Sequence, residues 1–191
     1  MRHTVESTFG SHREVIEGFL VVEKPDRLYV VARSPMGMAL FDVKSVPPAP
    51  PDVTTHIAAL SDPRMARFLA RDIGRMYLRE CPSDAPVESA RDGYVVRCSL
   101  APNDDGIVDD EPDDAVELHL GPGAELKRKI FAHAGRVTAT VTYDDQRQVA
   151  GVWLPHFIEL THASQPYSLR IVLLTADLNF DSSRIFGSRV E

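Results

Sequence analysis

Two segments near opposite ends of the chain, Val15–Val22 and Tyr167–Phe180, are apolar on both faces when written as extended strands. In the second, Leu169, Ile171 and Leu173 alternate with Val172, Leu174, Ala176 and Leu178. A sheet with one wet face needs apolar residues on one side only, so these segments require cover on both. A strongly curved sheet supplies it, with a greasy concave side and a convex side that is partly covered as well. The concave side is then either filled by another element or left partly open as a ligand cavity.

The remaining pattern provides that sheet. Glu14–Glu23, Arg27–Arg33 and Met38–Lys44 read as consecutive strands, with Pro and Gly confined to the turns between them. A proline-rich crossing over residues 46–52 follows, and then a short β-like piece, Val53–Ile57. Further strands are predicted at Tyr94–Leu100, Val116–Leu120, Glu125–Ala132, Arg136–Tyr143, Val149–Leu160 and Tyr167–Phe180. The turn Ala134-Gly135 joins two of them, and Val137, Ala139, Val141 and Tyr143 share one face of the second. With about nine or ten strands and no alternation of strand and helix, the expected class is α+β, an antiparallel meander with one inserted helix. The 191 residues fit one domain on the usual scale of about 150.

The helix is predicted to begin after Ser61 or Asp62, with Pro63 in its first turn, and to stop near Glu80 before Pro82. Met65, Ala66, Leu69, Ala70, Ile73, Met76 and Tyr77 fall on one face, opposite Arg64, Arg67, Arg71, Arg75 and Arg79. The arginine ridge could meet anionic lipid headgroups or an acidic partner along about 22 Å. The simpler reading, adopted here, is a solvated face partly neutralised by Asp72 and the nearby acidic loop.

That loop spans residues 103–114 and holds Asp104, Asp105, Asp109, Asp110, Glu111, Asp113 and Asp114. Setting these seven aside leaves 21 acidic residues against 21 basic ones, so the net charge of −7 belongs to one segment, read as solvated and mobile. The net charge of −7 argues against a general nucleic-acid binder, which needs basic surface to neutralise phosphates. An EF-hand is excluded, because alignment on Gly106 puts Ala101 and Pro112 at the two essential carboxylate positions. The histidines His3, His12, His56, His119, His133, His156 and His162 stand singly, so no metal is expected. There is no phosphate loop, nucleophile elbow or cofactor motif. Scattered residues such as His156 and Asp177 could serve a hydrolase or isomerase only by converging on one mouth, which strand periodicity opposes. Cys81 and Cys98 either form a disulfide, adding about 3 kcal/mol, or remain two buried thiols.

Three local features carry a family resemblance. Arg33-Ser34-Pro35-Met36-Gly37-Met38-Ala39-Leu40-Phe41-Asp42 is similar to a turn and following strand of the LolA/LolB-type lipoprotein carriers of bacterial envelopes. Gly151-Val152-Trp153-Leu154-Pro155-His156-Phe157-Ile158 resembles their late G-x-x-hydrophobic-P-x-x-I strand, and Tyr167–Asn179 followed by Phe186 their closing strand and terminal Phe. The resemblance covers roughly residues 14–186. It implies an unclosed antiparallel β-barrel around a helical lid, with an apolar cavity that accepts acyl chains. The chain departs from the family in showing no signal segment, no lipidation cysteine near its start and almost no helix before the first strand, and in carrying the acidic insertion.

The expected function is therefore non-catalytic: binding or carriage of a lipid or lipid-modified partner, with membrane-surface contact left as the less favoured use of the arginine ridge. The expected lining is Met65, Leu69, Ile73 and Met76 from the helix, with Phe19, Val21, Tyr29, Val31, Trp153, Phe157, Leu169 and Ile171 from the sheet. The alternative is an envelope interaction protein of the same fold with a filled core and no ligand. The expected location is the periplasm or the periplasmic face of the outer membrane if an export segment has been removed ahead of Met1, and the cytoplasm otherwise.

Overall fold

The computed structural model describes residues 2–9, 12–24, 26–46, 49, 52–56, 63–78, 80–100, 113–164, 167–178 and 180–186. Five strands precede the helix: β1 (Arg2–Phe9), β2 (His12–Glu23), β3 (Arg27–Arg33), β4 (Ala39–Ser45) and β5 (Asp52–Thr55). After helix α1 (Pro63–Tyr77) come β6 (Val87–Ala90), β7 (Gly93–Ser99), β8 (Ala115–Leu120) and β9 (Leu126–His133). β10 (Arg136–Val149), β11 (Val152–His162), β12 (Tyr167–Thr175) and a short helix α2 (Ser183–Phe186) complete the order.

These strands form one antiparallel sheet of twelve among the described residues, in the order β5-β4-β3-β2-β1-β12-β11-β10-β9-β8-β7-β6. The sheet is a curved barrel that does not close, with α+β composition as the sequence pattern predicts. Its free edges, β5 and β6, are the two strands that α1 connects. The helix covers the concave side, touching β4, β5 and β11.

Two strands go beyond the sequence reading. β1 is rich in threonine and charge, yet it pairs along its whole length with both β2 and β12 and so joins the two halves of the sheet. β6 is a four-residue edge strand with every residue exposed. The last long strand stops at Thr175 instead of continuing to Phe180. Val149–Leu160 likewise divides at a two-residue hairpin turn, where Ala150 and Gly151 take φ values of 47° and 84°. The helix cap at Ser61 or Asp62, most of the proline-rich crossing and residues 101–112 of the acidic segment lie outside the described residues.

Period-two alternation sorts the sheet into faces. Leu20, Leu28, Val30, Phe41, Val43, Val116, Phe131, Ala139, Val141, Tyr143, Ile158, Leu160, Leu169 and Ile171 point inward and are buried. Ala70, Ile73 and Met76 of α1 pack against them. The C-terminal segment reaches back to β2 and β4 through two polar contacts. Lys44 Nζ donates to the Ile185 carbonyl at 2.7 Å, and Ser182 Oγ bonds to the Glu23 carboxylate.

Cys81, just beyond α1, is joined to Cys98 of β7 in a disulfide, with Cα atoms 5.6 Å apart and a sequence separation of 17. It ties the end of the helix to the sheet. Replacing both cysteines by serine is expected to lower the unfolding free energy by about 3 kcal/mol. The change is read as a lower urea midpoint.

Candidate functional site

The polar face of α1 does not point to water. Arg71, Asp72 and Arg75 are buried, Arg75 and Asp72 to 1% and 0% exposure. Arg75 makes a two-pronged ion pair with Asp113, Nε and Nη2 each donating at 2.7 Å to a different carboxylate oxygen. Its Nη1 donates to Asp72 Oδ1 at 3.0 Å. Thr138 Oγ1 donates to Asp113 at 2.6 Å, and His162 Nε2 lies 3.0 Å from Asp72 Oδ2. Arg71 stacks over the Phe68 ring at 4.8 Å. Burial works against the Arg75 cation, but Asp113 and Asp72 outweigh it and hold its pKa above the usual value.

This corrects the reading of a solvated arginine ridge at positions 71 and 75; the side chains of Arg64, Arg67 and Arg79 lie outside the described residues. It also corrects the solvated acidic loop at its last turn. The Asp114 amide donates to the Ala132 carbonyl at 2.9 Å and its carbonyl accepts from the Leu100 amide at 2.8 Å, which fixes Asp113 opposite Arg75.

Beyond this network, where α1 ends, the barrel opens into a pocket of about 410 Å³. Leu126, Leu154, Ile158, Leu173, Met76 and Val22 give it apolar walls. Trp153 and Leu178, 57% and 41% exposed, line it as well, together with the ion-paired Lys24 and Glu80. Helix ends leave carbonyls without intrahelical partners. Here Tyr143 Oη donates to the Met76 carbonyl at 2.8 Å, and Lys129 Nζ to the Arg75 carbonyl at 3.4 Å. The Lys129 ammonium also lies 5.9 Å from the Tyr143 ring centroid.

Lys129 is 1% exposed. Burial lowers its pKa to about 8, with Glu80 acting upward and Lys24 downward. Burial also pushes the Tyr77 and Tyr143 phenols up. Tyr77 also lines the pocket, while its hydroxyl is buried with no hydrogen-bond partner among the described residues. Sequence reasoning passed over Lys129. The available signal was register: in β9, Lys129 has the same parity as Phe131, which is fully buried.

Of the twelve lining residues expected from sequence, Met76 and Trp153 reach this pocket. Ile73, Leu169 and Ile171 are inside the barrel but belong to its packed core. Phe19, Val21, Tyr29 and Val31 have outward parity, because Leu20, Leu28 and Val30 take the inward positions. Phe19 pairs with Val31 and Val21 with Tyr29 on that outer face, where Phe19 is 52% exposed. Phe157 also points outward, into a shallow dent beside Glu159 and Arg170. The side chains of Met65 and Leu69 lie outside the described residues. His156 belongs to β11, while Asp177 follows the end of β12. No group of three metal-ligating side chains occurs among the described residues, nor is any described helix long and apolar enough to cross a membrane.

Solved structures place this architecture. A putative outer membrane lipoprotein-sorting protein domain from Vibrio parahaemolyticus superposes with a TM-score of 0.59 at 13% identity, over 91% of this chain and 83% of that one. A LolA superfamily protein from Nitrosomonas europaea gives 0.58 at 13% identity, over 90% and 81%. The chain has a LolA-like fold. A DUF1329 family protein from Desulfovibrio piger shares the LolA-like arrangement at a TM-score of 0.57 and 8% identity, over 95% and 86%. No protein-family model and no curated protein sequence matches the chain.

Two outcomes are expected. Asp113→Ala leaves the Arg75 cation with less compensation in the interior and should cost about 3–5 kcal/mol of stability by denaturant titration. For Lys129, the unfolded side chain stays protonated up to its ordinary pKa near 10.4, whereas the folded one loses its proton near 8. Between those values the unfolded state binds more protons, so stability rises with pH. Thermal melts across that window should show a rising component that Lys129→Met removes.

Proposed function

We propose that the chain is a non-catalytic binding or carrier protein of the bacterial envelope, and that its cargo inserts alkyl chain into the pocket at the end of α1. The observation that carries this reading is the pocket itself: about 410 Å³ of largely apolar space beside the buried core of the barrel. Such a volume falls within the roughly 300–1,000 Å³ of small-molecule sites. Each methylene transferred into it contributes about 0.8 kcal/mol. The LolA-like fold and the lipoprotein-sorting description of one structural neighbour support the same class of cargo. The Cys81–Cys98 disulfide favours an oxidising compartment, hence the periplasm or the periplasmic face of the outer membrane.

The same geometry constrains how cargo enters. Arg75–Asp113, Asp72–His162 and Tyr143–Met76 hold α1 to the sheet with buried polar contacts. Swinging the helix out would expose or orphan all of them, at several kcal/mol. Entry past Trp153 and Leu178 leaves the helix where it is.

A second reading has its own support. The middle of the barrel, around Phe131, Val141 and Leu160, is packed without exposure, as a ligand-free interaction protein would require. Titration with a fluorescent fatty acid separates the two. Saturable one-to-one uptake by the wild type, reduced at least about tenfold in Leu126→Trp while the fold is retained by circular dichroism, supports the carrier. Absence of uptake, together with no co-purified lipid in native mass spectra, supports the filled-core protein.

A further inference from the structure

The β10–β11 hairpin outruns the sheet it belongs to. Its two strands pair with each other from Ala139 and His162 to Val149 and Val152. Among the described residues, β9 accompanies β10 only as far as Thr142, and β12 pairs with β11 only from Phe157 onward. Residues 143–156 therefore form a two-stranded arm beyond their neighbours, at the end of the barrel where the pocket lies. Gln146, Trp153, Leu154 and Pro155 of the arm line that pocket, and Gln146 Nε2 donates to the Leu126 carbonyl at 2.8 Å. Asp145 and Arg147 pair with each other, and residues 148–155 carry no charge. At the tip Val152 is 49% exposed, and Trp153 and Leu178 at the pocket are exposed as well.

An uncharged apolar cluster at the rim of a cavity marks a contact site. Val152, Trp153 and Leu178 together leave roughly 300 Å² of apolar surface in water. A stable protein interface takes about 800 Å² from each partner, so this tip is too small to hold a second copy or a folded partner. A bilayer needs no shaped counterpart. Resting on the proposed function, we infer that the tip of the arm seats the pocket on a zwitterionic lipid surface. Trp153 then lies at headgroup level, where an amphipathic ring with one N–H is best placed. The arm stops there, because its outer backbone edges meet no neighbouring strand among the described residues, and hydrocarbon would leave those groups unsatisfied. The net charge of −7 opposes an anionic surface, so the attraction comes from apolar side chains and not from charge. An acyl chain leaving the leaflet passes Trp153 and Leu178 into the pocket without crossing bulk water.

Trp153 is the only tryptophan of the chain, so its emission reports this site alone. The test titrates the full chain with phosphatidylcholine vesicles and with phosphatidylglycerol vesicles, and separates bound protein by flotation. Flotation with phosphatidylcholine is expected, with a blue shift of the Trp153 emission and quenching by lipids brominated close to the headgroup. Binding should stay level between about 0.05 and about 0.5 M NaCl and be no tighter on phosphatidylglycerol. Val152→Asp draws a carboxylate into the interface and should weaken flotation at least about tenfold. Fatty-acid uptake should stay at the wild-type level in that variant, since Val152 is not among the residues that line the pocket. A wild type that takes up fatty acid but floats with neither vesicle overturns the inference and leaves the carrier reading standing, and this comparison needs no variant to fold. Flotation that requires phosphatidylglycerol and disappears in salt also overturns it, because a cationic surface elsewhere is then responsible. So does undiminished flotation of Val152→Asp with wild-type circular dichroism, or a concentration-dependent dimer that this substitution dissolves. Flotation without fatty-acid uptake upholds the contact and removes the carrier reading. If the chain neither floats nor takes up fatty acid, both fall.

Discussion

The structure depends on burying one helix that is polar on the wrong side. Enclosing α1 in a curved sheet gives Ala70, Ile73 and Met76 a partner, but it also draws Arg71, Asp72 and Arg75 out of water. The protein meets this with Asp113, which comes from a segment between β7 and β8 and satisfies the Arg75 guanidinium in two-pronged fashion. His162 on β11 meets the remaining oxygen of Asp72. Buried pairs of this kind are not a large net source of stability, since desolvation offsets most of their attraction. Their effect is on geometry. Together these partners fix the helix against the sheet, and a pocket lies where it ends.

The pocket follows from the same constraint. The helix stops at Tyr77, and the pocket lies at that end of it. The last carbonyls of α1 face that hollow and are met by Lys129 and Tyr143. A helix C-terminus favours a nearby cation. The lysine is therefore held by the helix end.

Much of this was legible in the sequence, for identifiable reasons. Arg136–Tyr143 alternates clearly, so the inward set Ala139, Val141 and Tyr143 follows from a period of two, although the strand itself runs on to Val149. The antiparallel class followed from many strands and a single helix. β2 and β3 were harder, since both of their faces are apolar and alternation gives no sign. The small residues Gly18 and Ala32, paired with each other and both buried, mark the inner face. β1 escaped notice because its composition is polar and one of its two partners, β12, lies at the far end of the chain. The arginine ridge misled in its solvation alone: Asp72 and the acidic segment are the counter-charges expected from sequence, but helical periodicity does not reveal that they are buried together with Arg75.

The position of β1 has a temporal side. A meander usually settles as it emerges, each hairpin adding to the one before. Here the first strand borders the last, so the N-terminal five strands wait with an open seam until Tyr167–Thr175 has been made. Closing that seam is a long-range event with a large loop entropy, which slows folding. A chain that cannot finish its barrel before its final strand arrives stays pliable throughout synthesis, a useful property for any polypeptide that must be threaded through a narrow channel before it takes shape.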